Sequence, residues 1–289
     1  MKTAIISGKG GSGKSSVTAA FVALSEKVVA IDCDVDASNL PLLFEHKTVS
    51  SESFVSGVSV SVDPAKCVRC GRCAKVCAFH AIESGRTGLP VVHQLQCEGC
   101  GLCEHLCPAH AITLHEEADS MIYTGETGFG VLVHGDLCPG DDNSGKMIAR
   151  LREIADKESE ERNIPLQILD GPPGIGCPVL STVTGMDKIV IVTEPTLSGI
   201  SDLQRAYTVA HSFCGDISVI VNKSTVNAEN CAAIKAYCAE NGIPVIAELP
   251  FDRRLVDAQL HCESIVTYAP GSECSKALER AYETLFENE

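Results

Sequence analysis

Short apolar runs alternate with longer segments of helical character along most of the chain. Helices are predicted up to about residue 27 and then at residues 144–157, 201–213, 228–240 and 275–286. Between them, buried strands are predicted at residues 3–7, 28–31, 131–133, 166–169, 188–192, 217–221 and 244–247. Because uninterrupted apolar runs suit strands covered on both faces, this order predicts an α/β fold, with a mainly parallel sheet and helices on both faces.

A different pattern begins near residue 58. Apolar residues alternate with serine at residues 58–62, which predicts a half-exposed strand. An internal repeat follows with an offset of 30 residues, and its copies, residues 67–82 and 97–112, are identical at half of their 16 aligned positions. The sequence therefore predicts a small α+β insert that divides one α/β domain into two parts, with boundaries at 1–57, 58–119 and 120–289.

The composition of the chain excludes some functional classes and favours metal binding. The chain has 289 residues, a formal net charge of −15 and 16 cysteines. The acidic balance excludes the class that binds nucleic acid through a strongly basic surface. No stretch of about 18 apolar residues predicts a membrane span, and no signal peptide precedes the first strand, so a cytoplasmic protein is expected. In such a compartment, so many cysteines indicate metal binding rather than disulfides.

A glycine-rich loop at residues 8–15 separates the first strand from the first helix and fits the pattern G-x-x-x-x-G-K-[ST]. Backbone N–H groups of such a loop turn inward around phosphate oxygens, and the helix N-terminus adds positive potential. Lys14 is expected to reach the β- and γ-phosphates, and the Ser15 hydroxyl to ligate Mg²⁺. The residues predicted to bind ATP or ADP here are Gly10, Gly11, Ser12, Gly13, Lys14, Ser15 and Ser16.

The lysine at the start of this loop points to one family. The run from Lys9 to Ser15 resembles the deviant Walker A motif of the MinD/ParA family of P-loop ATPases. In that family the first lysine crosses a dimer interface to the nucleotide of the partner subunit. The resemblance therefore implies a P-loop NTPase sheet and an ATP-dependent dimer, formed with the chain itself or with a similar ATPase. It also implies catalytic roles for Lys9, Lys14 and Asp34.

Further segments match the same family. Asp32 and Asp34 end the second strand where switch I begins, and Asp170 begins a segment that matches switch II. By this resemblance Asp34 orients the attacking water, while Asp32 and Asp170 support Mg²⁺. Asn222 matches the residue at the adenine edge, although by itself it would also suit a plain turn, and Pro250 lies in the adjacent base-pocket loop. Independently of the family, ligands bind outside the carboxyl ends of parallel strands, where both strand-ending aspartates stand.

Each copy of the repeat carries the cysteine spacing C-x2-C-x2-C-x3-C. This spacing is typical of bacterial ferredoxins, in which the fourth cysteine ligates the other cluster, whereas zinc sites usually pair two C-x2-C hairpins. His80 and His110, at equivalent repeat positions, are expected to be packed or exposed rather than ligands. The spacing predicts two [4Fe–4S] clusters, the first on Cys67, Cys70, Cys73 and Cys107 and the second on Cys97, Cys100, Cys103 and Cys77.

The two copies differ in charge. Positive charge nearby favours the reduced, more negative state of a cluster, so the cluster held mainly by the first copy is predicted to have the higher reduction potential. The charged residues concerned are Lys66, Arg69, Arg72 and Lys75 in the first copy, and Glu98 and Glu104 in the second.

A MinD-type chain with this insert resembles the MinD-superfamily ATPases with an inserted ferredoxin domain and, more distantly, the nitrogenase iron protein. In the latter, one cluster cysteine follows the switch II aspartate by seven residues, as Cys177 follows Asp170. The other lies in a Gly-x-x-Cys-x-Gly turn, a form that residues 135–140 share around Cys138. The resemblance implies a third [4Fe–4S] cluster shared between two subunits. The remaining six cysteines are expected in the core.

These features predict an ATPase whose nucleotide-dependent dimer gates electron transfer through iron–sulfur clusters to a redox partner protein. Two alternatives remain. A carrier that assembles and delivers clusters would, in related ATPases, use a C-terminal C-x2-C pair, which this sequence lacks. A MinD-like positioning ATPase would carry a basic amphipathic C-terminal helix, whereas residues 276–289 hold two basic and four acidic residues, so no membrane partner is expected.

Overall fold

The computed structural model describes residues 1–138 and 143–287. The chain divides into two compact units. The larger unit contains Met1–Glu52, Ile122–Asp136 and Ser144–Glu289, and the smaller unit contains Ser53–Met121 and Leu137–Asn143. The larger unit is therefore assembled from three separate stretches of chain.

Helices and strands alternate along most of the described sequence. Two short 3₁₀ helices lie at Leu40–Leu43 and Gln94–Gln96. The strands are β1 (Lys2–Ser7), β2 (Val28–Asp32), β3 (His46–Phe54), β4 (Gly57–Val62), β5 (Ile82–Ser84), β6 (Pro90–Val92), β7 (Ile112–Glu117), β8 (Ser120–Thr127), β9 (Gly130–Asp136), β10 (Gln167–Pro173), β11 (Lys188–Thr193), β12 (Ile217–Val221) and β13 (Val245–Glu248). The α-helices are α1 (Lys14–Leu24), α2 (Arg72–Val76), α3 (Leu102–His105), α4 (Ser144–Arg162), α5 (Cys177–Val183), α6 (Leu197–His211), α7 (Ala228–Glu240), α8 (Arg254–Leu260), α9 (Ile265–Tyr268) and α10 (Glu273–Phe286).

Nine of the described strands form one sheet, in the order β13-β12-β11-β1-β10-β2-β9-β8-β3. Every neighbouring pair from β13 to β9 is parallel. This confirms the predicted mainly parallel α/β sheet, and all seven strands predicted from apolar runs are present. The last two strands at one end of the sheet, β8 and the edge strand β3, are not predicted by the apolar pattern. Most residues of β3 are exposed, so this strand carries no apolar run that could reveal it.

Both faces of the sheet are covered. Ile5 of β1 lies in a core cluster with Phe21 of α1 and Leu278 of α10. Its neighbours Ala4 and Ile6 point to the opposite face and are just as deeply buried. Helix α4 contacts β2 and β9 without contributing to that first cluster. The helices on both faces that the sequence predicts are therefore confirmed for this sheet.

The register of the central strands brings their carboxyl ends together. In the parallel pairing of β1, β10 and β2, Ile5 lies opposite Asp170, and Asp170 lies opposite Asp32. The glycine-rich loop leaves β1 two residues after Ile5. Because the carboxyl ends of parallel strands share one edge, the loop and the two aspartates are placed side by side.

The smaller unit repeats one local structure twice. Strand β4 pairs with β7 and β5 with β6, both antiparallel. Helices α2 and α3 begin at Arg72 and Leu102, and strands β5 and β7 begin at Ile82 and Ile112, each pair 30 residues apart. Left-handed backbone conformations recur at the same offset, at residues 69 and 99, 71 and 101, and 80 and 110. The sequence repeat is therefore a structural repeat.

We expect His134 to contribute a fall in the free energy of unfolding as the pH is lowered from 6.5 towards 4. His134 of β9 is buried and stacks on Tyr123, with ring centroids 5.1 Å apart. Burial lowers the pKa of His134 from 6.5 to about 4. In this pH range the unfolded chain therefore binds a proton at this histidine and the folded chain does not. This difference lowers the free energy of unfolding by up to about 3 kcal/mol. Urea unfolding at several pH values measures the slope.

The variant His134→Phe keeps a ring on Tyr123 and should lose this contribution to the slope. A matched control is His211→Phe, because exposed His211 stacks on Tyr207 at a similar centroid distance of 5.3 Å. The control should retain the slope. A full slope in His134→Phe would show that another group causes it.

Candidate functional site

The glycine-rich loop connects β1 to α1 at the edge where the aspartates lie. Gly13 precedes α1 with a φ of 92°, a left-handed conformation that glycine adopts without strain. A side chain there would also collide with the amide of Asn222, whose Nδ2 donates a hydrogen bond of 2.8 Å to the Ser12 carbonyl. By contrast, among the described residues no heavy atom beyond the adjacent residues lies within 4 Å of the space that a Cβ on Gly10 or Gly11 would take. The loop therefore leaves an open cradle of backbone on its outer side.

Lys14 forms a buried ion pair at the base of this cradle. Its Nζ lies 2.8 Å from Oδ1 of Asp170, which also accepts a hydrogen bond of 2.8 Å from the Thr18 hydroxyl. Burial lowers the pKa of Lys14, but the neighbouring carboxylates of Asp170, Asp32 and Asp34 together raise it by more, so the pKa is above its ordinary value. The other oxygen of Asp170, Oδ2, is buried and has no hydrogen-bond partner among the described residues. A buried carboxylate oxygen without a donor is well suited to a cation or its bound water.

Asp32 is held rigidly beside this pair. Its Oδ2 accepts hydrogen bonds of 2.9 Å from the Ser38 hydroxyl and the Leu40 N–H, and its Oδ1 accepts one of 3.0 Å from the Asp34 N–H. Complete burial, followed by the charge of Asp170, raises the pKa of Asp32 to about 7. Adding a divalent cation would relieve this crowding of negative charge. The Ser15 hydroxyl and the two buried aspartates are therefore a donor set that suits Mg²⁺.

Lys9 lies away from the cradle within its own chain. Its Nζ is 2.7 Å from Oε1 of Glu194 and donates hydrogen bonds to the hydroxyls of Thr196 and Ser198, at 3.2 and 2.9 Å. No pattern in the sequence predicts this arrangement, because the contacts join residues more than 180 positions apart. The role that the resemblance assigns to Lys9 requires this lysine to leave these partners.

Glu194 binds a second lysine as well. Its Oε2 lies 2.8 Å from Nζ of Lys223, which also donates a hydrogen bond of 2.9 Å to the Gly11 carbonyl. Burial raises the pKa of Glu194, but the two lysines lower it by more, and the pKa is below its usual value. Glu194 and Lys223 were not among the predicted site residues. The structure thus connects the glycine-rich loop to the segment after β11 through one carboxylate.

A cleft of about 880 Å³ opens above the loop. Its lining includes the acidic residues Asp34 and Asp36 and the apolar residues Phe251 and Val256. Lys9 is not part of its lining. The cleft brings together most of the predicted nucleotide-binding residues, namely Gly10, Gly11, Ser12, Gly13, Lys14, Ser15, Ser16, Asp34, Asn222 and Pro250.

Comparison with known proteins fits this geometry. The profile of the CobQ/CobB/MinD/ParA nucleotide binding domain matches residues 3–265. The chain belongs to this family. It is accordingly a P-loop ATPase of the MinD/ParA group, as its loop sequence predicts.

Relatives of this MinD/ParA-family chain cover its whole length. An uncharacterized protein of Methanocaldococcus jannaschii is 36% identical over 290 residues, which is 99% of this chain and 97% of that protein. The septum site-determining protein MinD of Pyrococcus horikoshii, complexed with Mg-ADP, aligns with a TM-score of 0.59 at 18% identity, over 99% of this chain and 96% of its own. An ATP complex of a Cyanothece McdA variant aligns with a TM-score of 0.57 at 17% identity, over 99% and 95%. These two structures share the fold.

The smaller unit contains two cavities bordered by cysteines. Four of them, Cys67, Cys70, Cys73 and Cys107, line one cavity. The other is lined by Cys77, Cys97, Cys100 and Cys103. Each cavity therefore takes three cysteines from one copy of the repeat and the fourth cysteine of the other copy. No three His, Cys, Asp or Glu side chains in the described ranges converge closely enough to hold a single metal ion.

The fourth cysteine of each copy has the same hydrogen bond. The Ala81 N–H donates to Sγ of Cys77, and the Ala111 N–H donates to Sγ of Cys107, both at 3.3 Å. Donors of this kind stabilise a thiolate. His80 and His110 are exposed and line neither cavity.

The eight cysteines outside the repeat line neither cavity. Cys177 is exposed at the first residue of α5. Cys138 is half-buried, and its N–H donates a hydrogen bond of 2.9 Å to the Ser120 hydroxyl. Pro139 and Gly140 of the predicted turn lie outside the described residues. Of the six cysteines expected in the core, Cys33, Cys214, Cys231, Cys238 and Cys274 are buried.

Cys262 departs from that expectation, because it is exposed. It follows the end of α8 with a φ of 56°, at the turn where helices commonly end in a left-handed residue. The sequence predicts no membrane span. None of the helices in residues 1–138 and 143–287 combines the length and apolarity needed for one.

Proposed function

We propose that this P-loop ATPase couples ATP-dependent association of two subunits to electron transfer through two [4Fe–4S] clusters held by the smaller unit. The observation that carries the proposal is the pair of cavities, each bordered by four cysteines drawn crosswise from the two repeats. In this proposal residues 1–57 and 120–289 form the ATPase domain, and residues 58–119 form the redox insert. The electrons pass to or from a redox partner protein.

The ATPase half rests on the nucleotide cleft. Backbone N–H groups of the glycine-rich loop hold the phosphates, and Lys14 neutralises charge on the β- and γ-phosphates. Mg²⁺, held by Ser15, Asp32 and Asp170, supplies further neutralisation of phosphate charge when it is bound. Asp34 at the edge of the cleft orients the attacking water. Burial raises the pKa of Asp34 despite the neighbouring Lys14, and a raised pKa suits a group that accepts a proton.

The adenine would lie on the side of the cleft formed by Asn222 and Pro250. Asn222 uses its Nδ2 on the Ser12 carbonyl, and its Oδ1 accepts a hydrogen bond of 2.8 Å from the Lys223 N–H. The side chain is thus already fixed by the loop that holds the phosphates. Apolar residues nearby, such as Phe251, offer a surface for the base. Relatives complexed with Mg-ADP and with ATP support a nucleotide as the ligand.

The iron–sulfur half rests on the chemistry of the cavities. Four cysteines are the usual ligand set of a [4Fe–4S] cluster, which supplies one-electron transfer. Each thiolate ligand of such a cluster binds a different iron atom. The four cysteine sulfur atoms therefore surround the volume of the cluster instead of converging on a single metal ion. This explains how eight cysteines can suit clusters although no three residues in the described part of the chain suit one ion. Each site also has a backbone N–H that donates to a cysteine sulfur, from Ala81 to Cys77 and from Ala111 to Cys107.

Dimer formation supplies the coupling in this proposal. Glu194, Thr196 and Ser198 hold Lys9 in the single chain. Bound ATP offers Lys9 a more strongly charged partner across the subunit interface, so association would move the lysine and with it the segment after β11. Cys177 begins the helix after switch II and is exposed, as a ligand shared between two subunits must be. The resemblance to the nitrogenase iron protein adds a third cluster to this proposal, with Cys138 and Cys177 of both subunits as its ligands.

The reduction potentials of the clusters test the coupling. Redox titration monitored by electron paramagnetic resonance, with no nucleotide, with ADP and with a non-hydrolysable ATP analogue, should show a shift of about 60 mV or more with the analogue. Such a shift equals a tenfold difference in nucleotide affinity between the two redox states. By linkage, the dissociation constant of the analogue must change by the same factor when the protein is reduced.

Lys9→Ala is the control for dimer-dependent coupling. This variant should bind nucleotide but lose both the shift and the ATP-dependent dimer, measured by sedimentation. Identical potentials under all three conditions in the unmodified protein would exclude gating. Transfer of clusters to an iron-free acceptor protein would then favour the cluster-carrier alternative, and nucleotide-dependent localisation would favour the positioning alternative.

A further inference from the structure

The first cysteine cavity is bordered by an exposed basic surface. Lys66, Arg69, Arg72 and Lys75 are all exposed, and we call these four residues the basic loop. Arg69 and Arg72 line the cavity together with Val68, whose exposed fraction is 64%. Within residues 67–82 there are three basic residues and no acidic residue, on a chain whose net charge is −15.

The second cavity is a natural comparison, because its loop has the same backbone. Residue Val68 corresponds to Glu98, Arg69 to Gly99, and Arg72 to Leu102 at the offset of 30 residues. Glu98 and Leu102 line the second cavity in the corresponding places. Two equivalent backbones therefore present opposite charge, so the difference comes from side chains rather than from fold.

The basic side chains are also largely free to act on a partner. Lys66 forms an ion pair of 3.4 Å with Asp63. Among the described residues, no carboxylate lies within 4.0 Å of a side-chain nitrogen of Arg69, Arg72 or Lys75. A local basic surface on an acidic protein attracts and orients an acidic partner, and exposed arginine beside an apolar side chain is typical of protein interfaces.

We propose that the basic loop is the docking surface for an acidic one-electron carrier protein, which exchanges electrons with the group held in the first cavity. This proposal rests on the proposed function, because it assumes that the cavity holds a redox group. The exchange is a one-electron step, in which the reduced carrier is oxidised by one electron and the group in the cavity is reduced by one. No bond is formed or broken. The second cavity, with its acidic loop, would not receive this partner.

Binding of an acidic flavodoxin to the full-length, anaerobically purified protein tests the surface. Flavodoxin contains no iron, so the iron content of this protein can be measured in the same samples. At low ionic strength the variant Arg72→Gln/Lys75→Gln should bind about tenfold more weakly by calorimetry, and the salt dependence of binding should become shallower.

The matched control is Leu102→Glu/His105→Glu. It changes the charge by the same amount at the equivalent positions of the second copy, and both residues are exposed. This control should change binding by less than about twofold. Equal weakening in both variants would show that only net charge matters, and unchanged binding in Arg72→Gln/Lys75→Gln would show that flavodoxin docks elsewhere. Either result overturns the proposal.

Iron content separates this failure from failure of the proposed function. If the protein holds iron but does not bind flavodoxin selectively, only the proposed docking surface is disproved. If the protein binds flavodoxin selectively but holds no iron, even after anaerobic reconstitution, the electron-transfer role is disproved. The docking surface is then still supported.

Discussion

Replacing Lys14 by glutamine is expected to reduce ATP hydrolysis by at least about 100-fold, because one fixed cation is removed from the site where phosphate charge develops. The same change breaks the buried ion pair with Asp170 and leaves that carboxylate without its cation. Removing one partner of a buried pair costs about 3 kcal/mol of folding free energy. Phosphate release and thermal unfolding measure the two effects.

A second substitution separates catalysis from folding in this experiment. In Lys14→Gln/Asp170→Asn the buried charge is removed, so stability should recover while hydrolysis stays low. Lys157→Gln, at a position with 71% side-chain exposure, should change neither quantity. Hydrolysis near the original rate in Lys14→Gln would show that the cleft above the glycine-rich loop is not the site of ATP hydrolysis.

Replacing Cys107 by alanine is expected to remove the same iron as replacing Cys73, although Cys107 belongs to the other copy of the repeat. The two residues line one cavity, whereas Cys77 lines the other with Cys103. The unmodified protein should hold about eight iron atoms per chain, and each of the four single variants about four. Iron quantification gives the totals. The paramagnetic resonance signal that remains after reduction shows which cavity is still filled.

Cys231→Ala is the matched control, because Cys231 is buried in the larger unit and lies in neither cavity. This variant should keep about eight iron atoms. If the signal left in Cys107→Ala matched that in Cys103→Ala, the crosswise pairing would be wrong. Iron near ten per chain, lost back to eight in Cys138→Ala/Cys177→Ala, would indicate the cluster shared between subunits. An iron-free protein after reconstitution would disprove the iron–sulfur proposal.

Local sequence signals predict much of this fold. Apolar runs locate β1 and β2 because every residue of Ala4–Ile6 and of Val28–Asp32 is buried, and such strands need no partner to be recognised. The glycine-rich loop is equally local, since eight consecutive residues define it. Edge strand β3 escapes prediction because its exposed residues have no hydrophobic face. An edge strand is defined by its neighbour in the sheet, and a single sequence does not name that neighbour.

Contacts between distant residues are the part of the site that sequence does not predict. The pairing of Lys9 with Glu194 joins a loop after the first strand to a segment after β11. The orphaned oxygen of Asp170 is also a product of packing, because it depends on what surrounds the carboxylate. Such features require the chain to be folded in three dimensions. Residue type and spacing predicted Lys14 and Asp170 separately, but not that they form an ion pair.

The longer stretch of the smaller unit begins and ends close to two paired strands, β4 and β7. Gly57 of β4 lies opposite Glu117 of β7, and the Ser56 N–H donates a hydrogen bond of 3.1 Å to the Glu117 carbonyl. The ends of this segment of about 60 residues are already close together, so inserting it between two strands costs little loop-closure entropy. The strands on either side need not change. The segment therefore has the geometry of an exchangeable cassette, one that a single recombination event could place in an existing ATPase gene or take out of it.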